Sequence, residues 1–171
     1  DACMEAASKK RGLYYLSVPT GGGKTLAGLR FALHHARRHD LERVFFVLPY
    51  TSIIDQNAEV ARSLYRQMAV SGPEPVLEHH SNLGPDEATD QARLMAENWD
   101  APIIFTTMVQ FLDAFFAAGT RAPRRLHRLA KAVVVFDEIQ ALPIKVTHMF
   151  NNAVRFLTEL AGSTVVLSTA T

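Results

Sequence analysis

A single cysteine, Cys3, stands in 171 residues, which excludes an internal disulfide and a zinc site built from thiolates. The sequence also lacks any run approaching the roughly 18 consecutive apolar residues of a membrane-spanning helix. Its first residues, with Asp1, Glu5 and Lys9 to Arg11, lack the apolar centre of a secretory signal. Nor is there an excess of charge: 18 Lys plus Arg stand against 17 Asp plus Glu, a formal net charge of +1. Any contact with nucleic acid must then come from local groups, because the bulk composition offers phosphates no general attraction. These absences point to a cytoplasmic location and no membrane partner, with a reducing compartment compatible with the lone thiol.

What is present is the balance of a folded domain, 48% hydrophobic and 20% charged residues, in a length that supports one core and is short for two. The chain starts at Asp1 without an initiator methionine and stops at Thr171 directly after an apolar run, so residues 1–171 are expected to be a single domain of a longer protein.

Apolar runs and helical patterns alternate along the chain. Leu13 to Val18, Arg43 to Leu48, Val76 to His79, Ile103 to Thr106, Val133 to Phe136 and Val165 to Ser168 read as strands. Between them, Lys24 to His39, a polar stretch from Pro85 to Asn98, Met108 to Ala118 and Val146 to Leu160 read as helices. Ile54, Ala58, Ala61, Tyr65 and Met68 recur at spacings of four, three, four and three, the stripe of a helix with one buried face. Strands that are apolar throughout are buried on both faces, as in a mostly parallel sheet with helices on both sides. Right-handed crossovers then bring the C-terminal ends of the strands to one edge, where ligands bind. Arg121 to Arg128, with four arginines and His127, reads as a solvated connection.

Pro19-Thr20-Gly21-Gly22-Gly23-Lys24-Thr25 lies between the first strand and its helix. Backbone N–H groups of a glycine-rich turn can wrap a polyphosphate because no Cβ holds the chain away, and the helix N-terminus adds positive partial charge. Lys24 would reach the β and γ phosphates and the Thr25 hydroxyl would ligate Mg²⁺. One departure from the strict phosphate-loop pattern is Val18, where that pattern has Gly. Asp137 and Glu138 leave the end of Val133 to Phe136. The first suits the hydration shell of Mg²⁺ and the second the attacking water. A guanine reader of the Asn-Lys-x-Asp type is missing, and a water-orienting Glu beside the metal-binding Asp favours hydrolysis over transfer to a small substrate. The other strand ends carry Pro49-Tyr50-Thr51-Ser52, with a helix opening at Ser52, then Thr106-Thr107 with Gln110 one turn on, and Ser168-Thr169-Ala170-Thr171. Each suits phosphate contact or an ordinary helix cap.

In order, Pro-Thr-Gly-Gly-Gly-Lys-Thr, Leu-Pro-Tyr-Thr-Ser, Thr-Thr-Met-Val-Gln, Asp-Glu-Ile-Gln and Ser-Thr-Ala-Thr resemble motifs I, Ia, Ib, II and III of a superfamily 2 helicase. Leu48 to Gln56, Leu77-Glu78-His79-His80-Ser81, Trp99 to Ile104 and Asp137 to Pro143 further resemble the helicase region of the CRISPR-associated helicase-nuclease of type I interference, from about Tyr14 to Thr171. The resemblance implies a RecA-like P-loop NTPase fold and the ATP-binding half of an ATP-dependent DNA translocase. It implies ATP and Mg²⁺ as cofactors, and as partners single-stranded DNA, a guide-RNA surveillance complex, a second RecA-like domain and a His-Asp nuclease domain. By the same likeness Thr20 to Thr25 bind ATP, and Thr25 and Asp137 hold Mg²⁺. Lys24, Asp137, Glu138 and Gln140 are catalytic, while Ser168, Thr169 and Ala170 couple nucleotide state to DNA. Pro49, Tyr50, Thr51, Ser52, Thr106, Thr107 and Gln110 touch the DNA backbone. Gln140 departs from the Asp or His commoner in the superfamily.

Two other readings stay open: another superfamily 2 motor, such as a restriction translocase or RNA helicase, and a nonhydrolytic nucleotide-gated binding module. Without the arginine of a second RecA-like domain, the 171 residues alone are expected to bind nucleotide weakly and hydrolyse it poorly. His35 and His39, four apart with His34 and Asp40 nearby, have a metal-ligand spacing but lie on the crossover helix behind the phosphate loop, where packing is the expected role. His79 and His80, at a strand end, are candidates for phosphate contact.

Overall fold

The computed structural model describes residues 2–19, 23–67, 72–80, 90–118 and 121–170. The strands among them are β1 (Leu13–Val18), β2 (Arg43–Leu48), β3 (Val76–His79), β4 (Ile103–Thr107), β5 (Ala132–Phe136) and β6 (Thr164–Ala170). They form one sheet in the order β1-β6-β5-β2-β4-β3, with every neighbouring pair parallel. Helices α1 (Ala2–Ala7), α2 (Lys24–His39), α3 (Ile54–Gln67), α4 (Asp90–Asn98), α5 (Met108–Phe116), α6 (Arg121–Leu126) and α7 (Thr147–Arg155) complete the α/β architecture. No described helix is long and apolar enough to cross a membrane.

The central strands are apolar at nearly every position because both their faces are covered. Along β2, Val44, Phe46 and Leu48 join the core beneath α1, α2 and α3, while Phe45 and Val47 join the core beneath α5 and α7. Each fully buried side chain of this size contributes about 1.5–3 kcal/mol of hydrophobic free energy. Aromatic rings organise both cores: Phe46 stacks on Phe105 at 4.9 Å, and Phe136 meets Phe111 and Phe150 edge-on at 4.8 and 4.9 Å.

The strand order decides where the chemistry lies. Since β6 and β5 separate β1 from β2, helix α2 must cross above them. That crossing sets the first turn of α2 against the C-terminal end of β5. Gly28 faces the sheet at this crossing, where a Cβ would make ordinary contacts, 3.6 Å from Phe46 Cε1, 3.7 Å from Leu16 Cδ2 and 3.8 Å from Val135 Cγ1.

The strands fall where their apolar runs place them. Helix α1, unmarked in the sequence reading, buries Ala7 in the core and is tied to α2 through His35. The His35 ring is fully buried, with Nδ1 2.9 Å from Ala7 O and Nε2 2.9 Å from Thr164 Oγ1, and burial chiefly lowers its pKa. His39 Nε2 lies 2.8 Å from Lys9 O. His35 thus joins α1, α2 and β6, and His39 ties α2 to the turn after α1. The patterned helix expected from Val146 to Leu160 is less regular than that, with a 3₁₀ turn over Ile144–Val146, then α7, then a π turn over Phe156–Leu160. Helix α5 stops at Phe116, and of the polar stretch Pro85 to Asn98 only α4 lies within the described residues, as do the first four of the five stripe positions that end at Met68.

The Arg121 to Arg128 stretch corrects its reading as a solvated connection. It forms α6 and a 3₁₀ turn, His127–Leu129, and buries the Arg125 guanidinium. Arg125 donates from Nε to Glu97 O (3.0 Å), from Nη1 to Gln110 Oε1 (2.8 Å) and from Nη2 to His79 Nε2 (3.1 Å), and lies 5.5 Å from the Trp99 ring centroid. A guanidinium only donates, so His79 Nε2 accepts and the ring proton sits on Nδ1. Burial, then the charges of Arg125 and His80, push the His79 pKa down to about 3.

Two predictions follow from this packing. Gly28→Ala places a methyl at ordinary van der Waals distance while removing a helix-interior glycine, so urea unfolding should show a gain of about 0.5–1 kcal/mol. The unfolded His79 ring takes up its proton near pH 6.5 and the folded ring near pH 3, so stability is full above that window and falls as pH drops through it. Between pH 7 and pH 5 this one ring should cost about 2 kcal/mol, measured as a fall in the urea midpoint that His79→Gln reduces.

Candidate functional site

The site forms where β1, β5 and β6 end against the start of α2. Thr20, Gly21 and Gly22 lie outside the described residues. Gly23 caps α2 in the left-handed region (φ 74, ψ 35), a conformation that a side chain would strain, and its carbonyl accepts the Ala27 N–H at 2.9 Å. Helix α2 therefore starts at Lys24, its N-terminus directed to the same sheet edge as Asp137.

Asp137 is almost fully buried and extends the β5–β2 ladder through a 3.0 Å bond from its N–H to Val47 O. Its Oδ1 accepts the Glu138 N–H at 3.0 Å, across a left-handed turn at Glu138 (φ 52). Lys24 Nζ sits 3.0 Å from the same Oδ1 and also donates to Glu138 Oε1. The other Glu138 oxygen accepts from Gln140 Nε2, so this exposed glutamine orients the carboxylate. Burial alone would lower the Lys24 pKa, but the hydrogen bonds and charges of Glu138 and Asp137 outweigh it and the pKa is raised. Lys24 thus carries its charge throughout the neutral range.

Thr25 Oγ1 donates to Asn57 Oδ1 at 2.7 Å, a partner on α3 that motif reading missed. Both line a small cavity with Lys24, Asp137 and Ser168, and the Ser168 hydroxyl, 1% exposed, has no hydrogen-bond partner among the described residues. A wider cleft of about 500 Å³, within the range of small-molecule sites, opens over Pro19, Gly23, Lys24, Thr25, Gln56, Asn57, Asp137 and Glu138. A hydroxyl and carboxylates facing one cleft are hard oxygen donors suited to Mg²⁺, and the ammonium already held between the carboxylates shows that the position accepts positive charge.

The other strand-end residues divide. Tyr50, 62% exposed and extended, caps a 3₁₀ turn over Thr51–Ile53 that runs into α3, so the helix opens one residue before Ser52. Thr107 caps α5 and its hydroxyl accepts the Gln110 N–H at 3.2 Å, while the Gln110 carboxamide is held by Arg125. Thr106 is a correction: its side chain is fully buried and donates to His79 O at 3.0 Å, joining β4 to β3 rather than lining the surface. Ser168, Thr169 and Ala170 finish β6 beside Leu16, Ser17 and Val18 of β1. His79 is also a correction, since its buried ring serves Arg125 rather than a phosphate. His80 Nε2 lies 3.5 Å from Asp55 Oδ1 and 3.9 Å from Glu78 Oε2, and these three groups hold ligand atoms within 4.8 Å of one another. Arg62 already pairs with Glu78, and the Asp55 side chain is largely exposed.

A DEAD/DEAH box helicase family model matches residues 1–171. The CRISPR-associated nuclease/helicase Cas3 of Haloferax volcanii is 28% identical across 91% of this chain, which covers 19% of that protein. The crystal structure of T. fusca Cas3-ATP superposes with a TM-score of 0.81 at 28% identity, covering 99% of this chain and 20% of that one. T. fusca Cas3-ADP gives the same TM-score and identity over 97% and 19%. The chain thus spans about a fifth of the length of these relatives. With a family model matched from end to end on a parallel sheet that presents Lys24, Asp137 and Glu138 at one edge, the chain belongs to the DEAD/DEAH box helicases.

Proposed function

We propose that this chain is the ATP-binding half of an ATP-dependent DNA helicase that acts with a nuclease in CRISPR interference. The observation that carries the reading is the convergence of Lys24 on Asp137 and Glu138 beside the Thr25 hydroxyl, in a cleft at the N-terminus of α2. The Haloferax volcanii and T. fusca relatives, by name a nuclease/helicase and an ATP- and an ADP-bound Cas3, support the nucleotide and the biological setting.

By the motif they carry, Thr20 to Gly23 would offer main-chain N–H groups to the phosphates, and Lys24 would exchange its carboxylate partners for phosphate oxygens. Thr25 and Asp137 would hold Mg²⁺, which when bound neutralises charge on the β and γ phosphates. Once Lys24 turns to phosphate, Glu138 would keep its bond from Gln140 and accept a proton from the attacking water. The Ser168 hydroxyl, between Asp137 and β1 and without a partner among the described residues, suits a contact that changes with nucleotide state, with Thr169 and Ala170 carrying the change along β6. Single-stranded DNA would lie across Pro49 to Ser52, Thr107 and Gln110, where the exposed Tyr50 ring offers a base-stacking face. The second RecA-like domain supplies the arginine that completes hydrolysis, and a His-Asp nuclease domain and a guide-RNA complex are the remaining partners.

Lys24→Ala should abolish binding of a fluorescent ATP analogue. Glu138→Gln should retain that binding and lose on the order of 10²–10⁴-fold in DNA-stimulated turnover of the protein carrying both RecA-like domains. Full turnover by Glu138→Gln would refute its role as base.

A further inference from the structure

We propose that Asn57 is a positioning residue for the Mg²⁺ ligand Thr25, and that helix α3 through it ties the metal site to the loop Pro49 to Ser52. The inference rests on the nucleotide reading above. A threonine hydroxyl has one proton to donate, and to ligate a cation it must hold that proton away from the metal. In a helix interior the hydroxyl commonly bonds a carbonyl of the preceding turn. Thr25 is the second residue of α2 and has no helical turn before it.

Asp137 is the neighbouring acceptor, but its Oδ1 already receives the Lys24 ammonium and the Glu138 N–H, each at 3.0 Å. Asn57 Oδ1 takes the Thr25 proton instead, at 2.7 Å. The bond fixes the hydroxyl rotor and leaves the lone pairs of Thr25 Oγ1 to the cleft that both residues share with Asp137. A neutral carboxamide does this without adding a further anion beside Asp137. Partners that orient metal ligands in this way are typically worth 10–100-fold in affinity.

The acceptor's location gives the contact its second consequence. The 3₁₀ turn capped by Tyr50 passes directly into α3 at Ile54, whose N–H donates to Thr51 O, and Asn57 lies in the first turn of that helix. The segment from Thr51 to Asn57 is therefore continuous helical backbone. A shift of the loop on binding single-stranded DNA moves the Asn57 carboxamide relative to Thr25. The coupling is direct, because this hydrogen bond joins side chains of α2 and α3 at the sheet edge.

The test is binding of a fluorescent ATP analogue to the full chain with Mg²⁺ and with EDTA, with and without a single-stranded oligonucleotide. Asn57→Leu should lose about 10-fold of the affinity gained from Mg²⁺ while affinity in EDTA is unchanged. Asn57→Asp, which still accepts the proton and adds a negative charge beside the metal, should keep or raise the gain. The oligonucleotide should alter the Mg²⁺-dependent gain in the wild type and leave it unaltered in Asn57→Leu. An undiminished gain in Asn57→Leu, or loss in both variants alike, overturns the positioning role. An equal oligonucleotide effect in wild type and Asn57→Leu overturns the tie to the loop. A wild type with no Mg²⁺-dependent gain overturns the nucleotide reading itself, and this proposal with it.

Discussion

Two carboxylates at the end of a buried strand are tolerable only with a compensating charge, and Lys24 supplies it. Asp137 is pinned by the β2 backbone and by the Glu138 N–H, so the cation comes to the carboxylate rather than the reverse. An ion pair so placed is a poor source of stability, since desolvation offsets much of its attraction. Its significance is poise. In the function proposed above, the ammonium is held where a polyphosphate would compete for it, and its departure would uncover the acidic groups for a magnesium nucleotide.

This arrangement follows from topology more than from any single motif. Because β5 and β6 intervene between β1 and β2, the crossover helix must pass over β5, with Gly28 facing the sheet at that level. Helix α3 then packs beside α2 and brings Asn57 to Thr25. On the opposite face, Arg125 gathers α4, α5 and β3 about one guanidinium and fixes Gln110 among the residues proposed to meet DNA.

Much of this was legible in the sequence because strands covered on both faces must be apolar throughout. The central β2 and β5 show this, and the edge strands β1 and β3 keep the expected bounds although β1 exposes alternate side chains. The glycine-rich turn with Lys24 and the Asp137-Glu138 pair announce their chemistry through backbone and charge requirements local in the chain. What stayed hidden is non-local. Nothing near Arg125 distinguishes it from the arginines beside it, since Glu97, Gln110 and His79, which accept from it, come from other segments. Thr106 and Thr107 look alike in the chain, yet strand alternation turns the first to β3 and leaves the second as a helix cap. Asn57 carries no motif signal of its own and acquires a role only when α3 lies against α2. The six-residue α1 is too short to declare itself and depends on docking to α2.

The central claim is that Thr25 and Asp137 share one divalent cation while Lys24 turns to the nucleotide. Anomalous diffraction from crystals grown with a nonhydrolysable ATP analogue, Mn²⁺ replacing Mg²⁺, addresses it directly. The account predicts a single manganese peak between the Thr25 hydroxyl and the Asp137 carboxylate, with Lys24 Nζ withdrawn from Glu138 onto phosphate oxygens. Manganese at Asp55, Glu78 and His80 instead, with Lys24 still paired to Glu138 beside bound nucleotide, would contradict it.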